Sequence, residues 1–163
     1  MKKLALFALA TLAACGPETG LSGSVSELFS LEVSRVEVRR NEQAFQVTYL
    51  RNRGVFLDVV ARVSVSLEGA TLVPGKKIDL AGEYAPGHLR TTVATAPGGE
   101  PVRQLPPVKK GDLVITSGGG VGQVTSGNFS MSFSDMGGDL GAGRTLAGTF
   151  KATALDAGFG ELP

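Results

Sequence analysis

The stretch from Val55 to Leu67 constrains the fold of this chain more than any other. Its odd positions are all apolar, and its even positions are mostly polar, with Asp58 and Arg62 among them. A period of two places one face of a β-strand in a core and the other face toward solvent. The same residues wound as a helix would carry both charges into the apolar stripe, so the pattern excludes a helix. Strands usually have ~3–10 residues, and we therefore expect this longer one to bend or to serve two sheets.

Other stretches repeat the alternation, and turn residues separate them. Glycine contributes 23 of 163 residues, about twice the usual ~7%, and glycine favours tight connections over helices. No helical pattern separates the strands, which excludes a parallel α/β sheet. The chain is predicted to be an all-β protein, an antiparallel β-sandwich of about seven to nine strands, with a small β-barrel as the alternative. Two hairpins are expected: 45–49 with 55–67, and 129–133 with 145–154.

The first fourteen residues have the layout of a secretory signal. Two lysines follow Met1, residues 4–12 form a short apolar core, and the small residues Ala13 and Ala14 end it. This core is too short to span a bilayer, which takes about 20 residues. The next residue, Cys15, is the single cysteine of the chain, so no intramolecular disulfide can form.

The ending Leu12-Ala13-Ala14-Cys15 resembles the lipobox of bacterial lipoproteins, and the resemblance covers the leader only. It implies cleavage before Cys15, a thioether-linked diacylglycerol on its sulfur, and an acyl chain such as palmitate on the new N-terminus. Several acyl chains anchor a protein stably, because one acyl chain alone binds a membrane only marginally. Gly16, where an Asp would imply inner-membrane retention, implies the outer membrane of the bacterial cell envelope. An ordinary cleaved signal peptide with an incidental thiol is the alternative.

These features divide the chain into four parts. Residues 1–14 are the signal peptide, 15–26 the lipidated Cys15 with a flexible tether, 27–155 the β domain and 156–163 a loose tail. The tether is polar and rich in Gly and Ser, a composition typical of flexible coil. A loop already packed on the domain is the alternative for this segment.

The charge balance argues against a nucleic-acid partner. The full chain has a net charge of +1, and removing Lys2 and Lys3 with the leader leaves 14 basic against 15 acidic residues. A nucleic-acid-binding protein shows a basic stripe or a high pI instead.

Catalytic residues are sparse in the sequence. His88 is the single histidine, so a Ser-His-acid triad would need it together with a serine such as Ser117 and an acid such as Asp112 or Asp135. A histidine at a loop end is the simpler interpretation, since no Gly-x-Ser-x-Gly elbow is present. No metal or other cofactor is expected, because zinc sites need several His or Cys ligands.

Two glycine-rich loops could each have a binding role, but an ordinary turn is the favoured interpretation of both. Ser117–Gly120 could cradle an anion with backbone N–H groups, but a hairpin loop is favoured because the Lys-Ser/Thr of a phosphate loop is missing. Asp135 and Asp139 could offer oxygens to calcium, but their spacing fits no EF-hand loop, and a solvated turn is favoured.

Several arginines cluster around the first predicted hairpin, interleaved with glutamates. A surface contacting anionic glycan or lipid headgroups is one hypothesis. Ordinary cross-strand ion pairs on a solvated sheet face are favoured. The residues of the hypothetical anionic contact are Arg39, Arg40, Arg51 and Arg53, with Arg35 nearby.

The sequence thus predicts a lipid-anchored, non-enzymatic β domain that binds or scaffolds an envelope protein or glycan. Its contact with the membrane is through the lipid on Cys15. A carrier of lipid or another apolar ligand in a β-barrel is the first alternative, and a hydrolase using His88 is the second. The absence of tryptophan removes the Gly-x-Trp start typical of lipocalins, which weakens the carrier hypothesis.

Overall fold

The computed structural model describes residues 19–67, 71–81, 89–95, 102–134 and 143–156, with the backbone alone described for 89–95 and 102–104. These residues form ten β-strands and a short 3₁₀ helix, and none of them is in an α-helix. Three of the strands have only three residues each, which brings the number above the predicted seven to nine. The strands are β1 (Gly20–Ser22), β2 (Arg35–Arg40), β3 (Ala44–Arg53), β4 (Phe56–Ser66), β5 (Lys77–Asp79), β6 (Leu89–Thr95), β7 (Val102–Gln104), β8 (Val108–Ser117), β9 (Val124–Phe133) and β10 (Thr145–Asp156), and the 3₁₀ helix is Ser24–Glu27.

The strands follow a continuous path that folds into two layers. We call β5-β8-β9-β10 sheet I and β2-β3-β4-β6-β7 sheet II. Strand β10 joins them, because its residues 145–153 pair with β9 and its residues 154–156 pair with β2. The β10–β2 pairing is parallel and the other described pairings are antiparallel. Within the described residues the path ends at β5 and β7, which do not pair with each other.

Aromatic rings from the two sheets meet in the core. The ring centroids of Phe45 and Phe150 are 6.0 Å apart, and those of Tyr49 and Phe129 are 5.9 Å apart in an edge-on arrangement. The buried hydroxyl of Tyr49 donates a hydrogen bond of 3.2 Å to the carbonyl oxygen of Thr149. Burial raises the pKa of Tyr49, so the phenol is kept neutral. These contacts hold sheet II against sheet I and confirm the predicted all-β fold, in the layered form of a sandwich. The parallel β10–β2 pairing departs from the antiparallel arrangement that the sequence predicts.

Both predicted hairpins are confirmed. Strands β3 and β4 pair antiparallel along the whole of β3, around a turn at Gly54 and Val55. Gly54 has a φ of 64° there, a conformation that favours glycine. Strands β9 and β10 pair antiparallel over 145–153 of β10.

The uniform alternation predicted for Val55–Leu67 is wrong in two respects. Ser64 and Ser66, on the face expected to meet solvent, are only 1% and 6% exposed, and the N-terminal part is turned over. The register of β4 on β3 shifts at Val60, which is left as an extra residue. A bulge of this kind reverses the face that successive side chains occupy. The odd positions from 61 to 67 are buried as predicted, but Val55 is 94% exposed and Leu57 is 47% exposed.

The folded domain begins earlier than the predicted boundary at residue 27. Strand β1 pairs with β10, with Gly20 opposite Thr149 and Ser22 opposite Ala147. Val25, in the 3₁₀ helix, is fully buried in the core. For residues 19–26 the alternative therefore holds: this part of the expected tether is packed on the domain. Residues 1–18 and 157–163, which contain the leader, Cys15 and almost all of the tail, lie outside the described residues.

Candidate functional site

The N-terminal segment is fixed to the start of β10 by reciprocal hydrogen bonds. The backbone N–H of Ser24 donates to Oγ1 of Thr145 at 3.1 Å, and the backbone N–H of Thr145 donates to Oγ of Ser24 at 2.9 Å. Arg144 donates from Nη1 to the carbonyl oxygen of Ser24 at 2.9 Å and also forms an ion pair with Glu27. The point where the domain begins is thus tied to sheet I, a few residues after Cys15 in the sequence.

The predicted arginines on β2 form an ion-pair row along the strand. Glu37 lies between Arg35 and Arg39 on one face, with nitrogen–oxygen distances of 2.7 and 3.2 Å. Both arginine side chains are about half exposed, at 55% and 44%. Exposed pairs of this kind each contribute about 0–1 kcal/mol, so they orient the charges more than they stabilise the fold.

Arg51 and Arg53 share a carboxylate across the β3–β4 hairpin. Asp58 lies 3.5 Å from Nη2 of Arg51 and 3.0 Å from Nε of Arg53. The hydrogen bond from Arg53 is the main cause that lowers the pKa of Asp58, with Arg51 adding to it. The guanidinium of Arg53 also lies 5.5 Å from the ring centroid of Phe56, within the range of a cation–π contact. The favoured interpretation of cross-strand ion pairs describes this arrangement. The expected solvated face does not, because the side chains of Arg51 and Asp58 are only 12% and 10% exposed.

Arg40 lies apart from the other four arginines. It is the last residue of β2, on the opposite face from its neighbour Arg39, and its backbone is paired with Asp156 of β10. Its guanidinium is beside Gly119 of the β8–β9 connection. The structure therefore distributes the predicted anionic-contact residues over three places, and contact with an anionic surface stays a prediction for each of them.

The glycine-rich loop after Ser117 uses its own backbone N–H groups. Gly119 donates to Oγ1 of Thr125 at 3.0 Å, and Gly120 donates to Oε1 of Gln123 at 3.2 Å. Because these donors are satisfied within the hairpin, they are not presented to an anion. Residues 118–123 form the connection between β8 and β9, as the hairpin interpretation expects.

The residues of the hypothetical triad are not brought together where they are described. Asp112 forms an ion pair with Lys77, with 3.0 Å between Oδ2 and Nζ. Ser117 Oγ is 2.7 Å from Oγ of Ser126. Five residues of one strand separate Asp112 from Ser117, or about 16 Å at ~3.3 Å per residue. His88 and Asp135 lie outside the described residues.

Metal ligands do not converge in the described part of the chain. No group of three or more His, Cys, Asp or Glu side chains in those residues could hold a metal ion. Asp135 and Asp139, the hypothetical calcium ligands, lie outside the described residues.

The interior is filled where the two sheets meet at β10. An added Cβ at Gly148 would lie 2.5 Å from Cε1 of Phe129 and 2.7 Å from the hydroxyl of Tyr49. Two cavities, of about 440 and 250 Å³, are open to solvent and lie along β9 and β10. This packing gives the carrier hypothesis no support at the centre of the sandwich.

Among the exposed apolar side chains of the described residues, which the alternation did not predict, two groups lie at opposite ends of the sandwich. We call the turn Gly54-Val55 and the adjoining Phe56 and Leu57 the hairpin tip; Phe56 is 63% exposed. We call the opposite end the loop end: it consists of residues 118–123, the adjoining first residue of β9, and the C-terminal residues of β2 and β10. The exposed apolar side chains of the loop end are Val121 (52%), Val124 (54%) and Leu155 (50%).

Comparisons with protein-family models, with curated proteins and with solved structures found no match for this chain. A separate search of the described residues for a helix long and apolar enough to cross a membrane also found none.

Proposed function

We propose that this chain is a lipoprotein of the bacterial cell envelope, anchored through lipid on Cys15. Its β-sandwich domain acts by binding or scaffolding an envelope protein or glycan rather than by catalysis. The observation that carries the proposal is the lipobox-like ending Leu12-Ala13-Ala14-Cys15, placed just before a domain that begins at Gly20. A lipid at Cys15 would hold such a domain directly at a membrane surface.

The described side chains favour binding over catalysis. Ser117 Oγ is hydrogen-bonded to the hydroxyl of Ser126, and Asp112 pairs with Lys77. Neither neighbour is the adjacent base that a serine nucleophile needs. The aromatic packing around Gly148 favours a surface binding mode over an internal ligand cavity.

The anchoring is tested by changing the modified atom alone. The full chain is produced in a bacterium fed an alkyne-bearing fatty acid, as wild type, as Cys15→Ser and as the control Thr19→Ser. We expect the wild type and the control to carry the fatty acid and to sediment with membranes. Cys15→Ser should lose the fatty acid label completely, because serine offers no thiol for the thioether. Equal labelling of all three chains, or none in the wild type, would contradict the proposal.

The outer-membrane assignment has its own test. Gly16→Asp in the same chain is expected to move the protein from the outer- to the inner-membrane fraction in a host with enterobacteria-like sorting. The control Gly16→Ser should leave the distribution unchanged. An identical distribution for Gly16→Asp would contradict the sorting proposal and leave the lipid anchor standing.

A further inference from the structure

We infer that the loop end of the sandwich rests on the lipid bilayer that holds the anchor. Val121, Val124 and Leu155 would enter the headgroup region there. The inference rests on the proposed lipid anchor, and it adds which face of the domain meets the membrane.

Backbone hydrogen bonds bring these three side chains to one edge of the molecule. The N–H of Gly122, next to Val121, donates to the carbonyl oxygen of Ala154 at 2.7 Å, and the N–H of Ala154 donates to Gln123 at 2.9 Å. Val124 is paired with Thr153, two residues before Leu155 on β10. Residues from a loop and from two strands therefore form one apolar edge, with each of the three side chains at least half exposed. Apolar side chains gathered at an edge in this way are typical of an interaction surface.

Basic side chains flank the apolar edge. Arg39 is paired in register with Leu155, forms an ion pair with Glu37 and keeps 44% of its side chain exposed. Lys151 is exposed and lies on the same face of β10 as Leu155, four residues earlier. Apolar side chains with lysine and arginine beside them match the chemistry of an anionic bilayer surface, where the apolar groups enter the boundary and the cations meet phosphates.

The direction of the chain points the anchor toward the same end. Strand β1 runs antiparallel to β10, so its first residue, Gly20, lies opposite Thr149, nearer the C-terminal end of β10 than Ser22 does. Cys15 is four residues before Thr19, and an extended chain of that length spans at most about 14 Å. Along β10, the four residues from Thr149 to Thr153 span about 13 Å. The tether is thus long enough to place Cys15 level with Val124, and too short to place it far from the domain.

The hairpin tip points the other way. Tyr49 contacts Thr149, and Thr149 is the residue of β10 that pairs with Gly20, the first residue of β1. The hairpin tip lies four or more residues beyond Tyr49 along β3, on the side away from the loop end. A tether running toward the loop end leads away from the tip. Val55, which is 94% exposed, therefore serves as a matched control position for Val121.

The test uses the full-length chain, purified in detergent and reconstituted into vesicles of phosphatidylethanolamine and phosphatidylglycerol. Val121→Cys and Val55→Cys are each labelled with an environment-sensitive fluorophore through a maleimide. A thioether-modified Cys15 cannot react with the maleimide. Treating the wild-type chain with the same maleimide therefore shows separately whether Cys15 carries the lipid. Both replaced side chains are largely exposed, and circular dichroism checks that both variants keep the fold.

We expect nitroxide lipids to quench the fluorophore at position 121, with its emission shifted to shorter wavelength, while position 55 is unaffected. Equal quenching at both positions, quenching at 55 alone, or quenching at neither would overturn the inference while the anchor stands. Labelling of wild-type Cys15 would instead overturn the proposed function, and the inference with it.

Discussion

At Gly148 the two sheets leave no space for a side chain. The ideal Cβ position lies within 3 Å of atoms from Phe129, Tyr49 and Leu21, which belong to three different strands. An alanine there must displace a ring or separate the sheets. The requirement for glycine at this position is therefore steric, and it follows from the approach of sheet II to sheet I.

Replacing Gly148 with alanine is expected to destabilise the domain by about 1–3 kcal/mol, the usual cost of overpacking a filled core. The control is Gly20→Ala in β1, where an added Cβ meets nothing within 4 Å. Urea unfolding followed by circular dichroism measures both variants. A loss of stability in Gly20→Ala as large as in Gly148→Ala would show that the sheets are not packed as described.

Asp58 is shared by two arginines, as Glu37 is, but its side chain is less exposed, at 10% against 22%. Its pKa is lowered chiefly by the hydrogen bond from Arg53, so the native state binds a proton less readily than the unfolded chain. The contribution of this carboxylate to stability is therefore present above its unfolded pKa, about 3.9, and is lost as the pH falls through the lower native value.

Asp58→Asn is expected to lower the thermal midpoint at pH 7, and the difference from wild type should shrink as the pH falls below about 4. Asp112→Asn, which removes a more exposed pair with Lys77, should have a smaller effect at pH 7. Thermal melts across the pH range give the comparison. A deficit for Asp58→Asn that is the same at every pH would contradict the assigned ion pairs.

At the scale of elements, the two hairpins could be predicted and the bulge could not. Alternation predicts which side chains of a strand are buried only where polar residues mark the side that meets solvent. Around the shift in β4, Val59, Val60 and Ala61 are all apolar, so the sequence does not mark which of them is the extra residue. The shift turns Asp58 to the face of Ala61, where it pairs with Arg51 and only 10% of its side chain is exposed. The sequence pattern therefore does not predict the bulge. It also does not predict the exposure of the hairpin tip, which follows from the bulge.

The prediction of a flexible tether over residues 19–26 is wrong for a different reason. Residues 19–26 have the composition of a flexible linker, and their order comes from a partner far away in the sequence, β10. Composition reports on local preference, whereas an unpaired strand edge can order a polar segment through backbone hydrogen bonds. The same limit applies to the arginines, because their separation into three places depends on the register of β2, β3 and β10.

A pair of shortened chains tests where the domain begins. A chain starting at Thr19 should fold as the full-length domain does. A chain starting at Glu27 loses the buried side chain of Val25, worth about 1.5–3 kcal/mol, and the hydrogen bonds between Ser24 and Thr145 as well. Urea unfolding should show a clear drop in stability for the second chain only. Equal stability of the two chains would return the boundary to residue 27.

At the scale of the whole molecule, a lipoprotein-like leader predicted from the sequence precedes the β-sandwich formed by the described residues. In the proposed lipoprotein, attachment depends on Cys15, the single thiol of the chain. The sandwich supplies a rigid body with a packed core, a fixed N-terminal segment and two ends of different character. In the proposed lipoprotein, the few residues between Cys15 and Gly20 would hold the sandwich close to the membrane.

The intact mass of the mature protein tests this account most directly. Full-length protein is extracted from bacterial membranes and measured by mass spectrometry, with digestion to isolate the N-terminal peptide. The account predicts a chain that begins at Cys15 and carries diacylglycerol on the sulfur and an acyl group on the amine. A chain that retains residues 1–14, or one that carries a free thiol at Cys15, would contradict it.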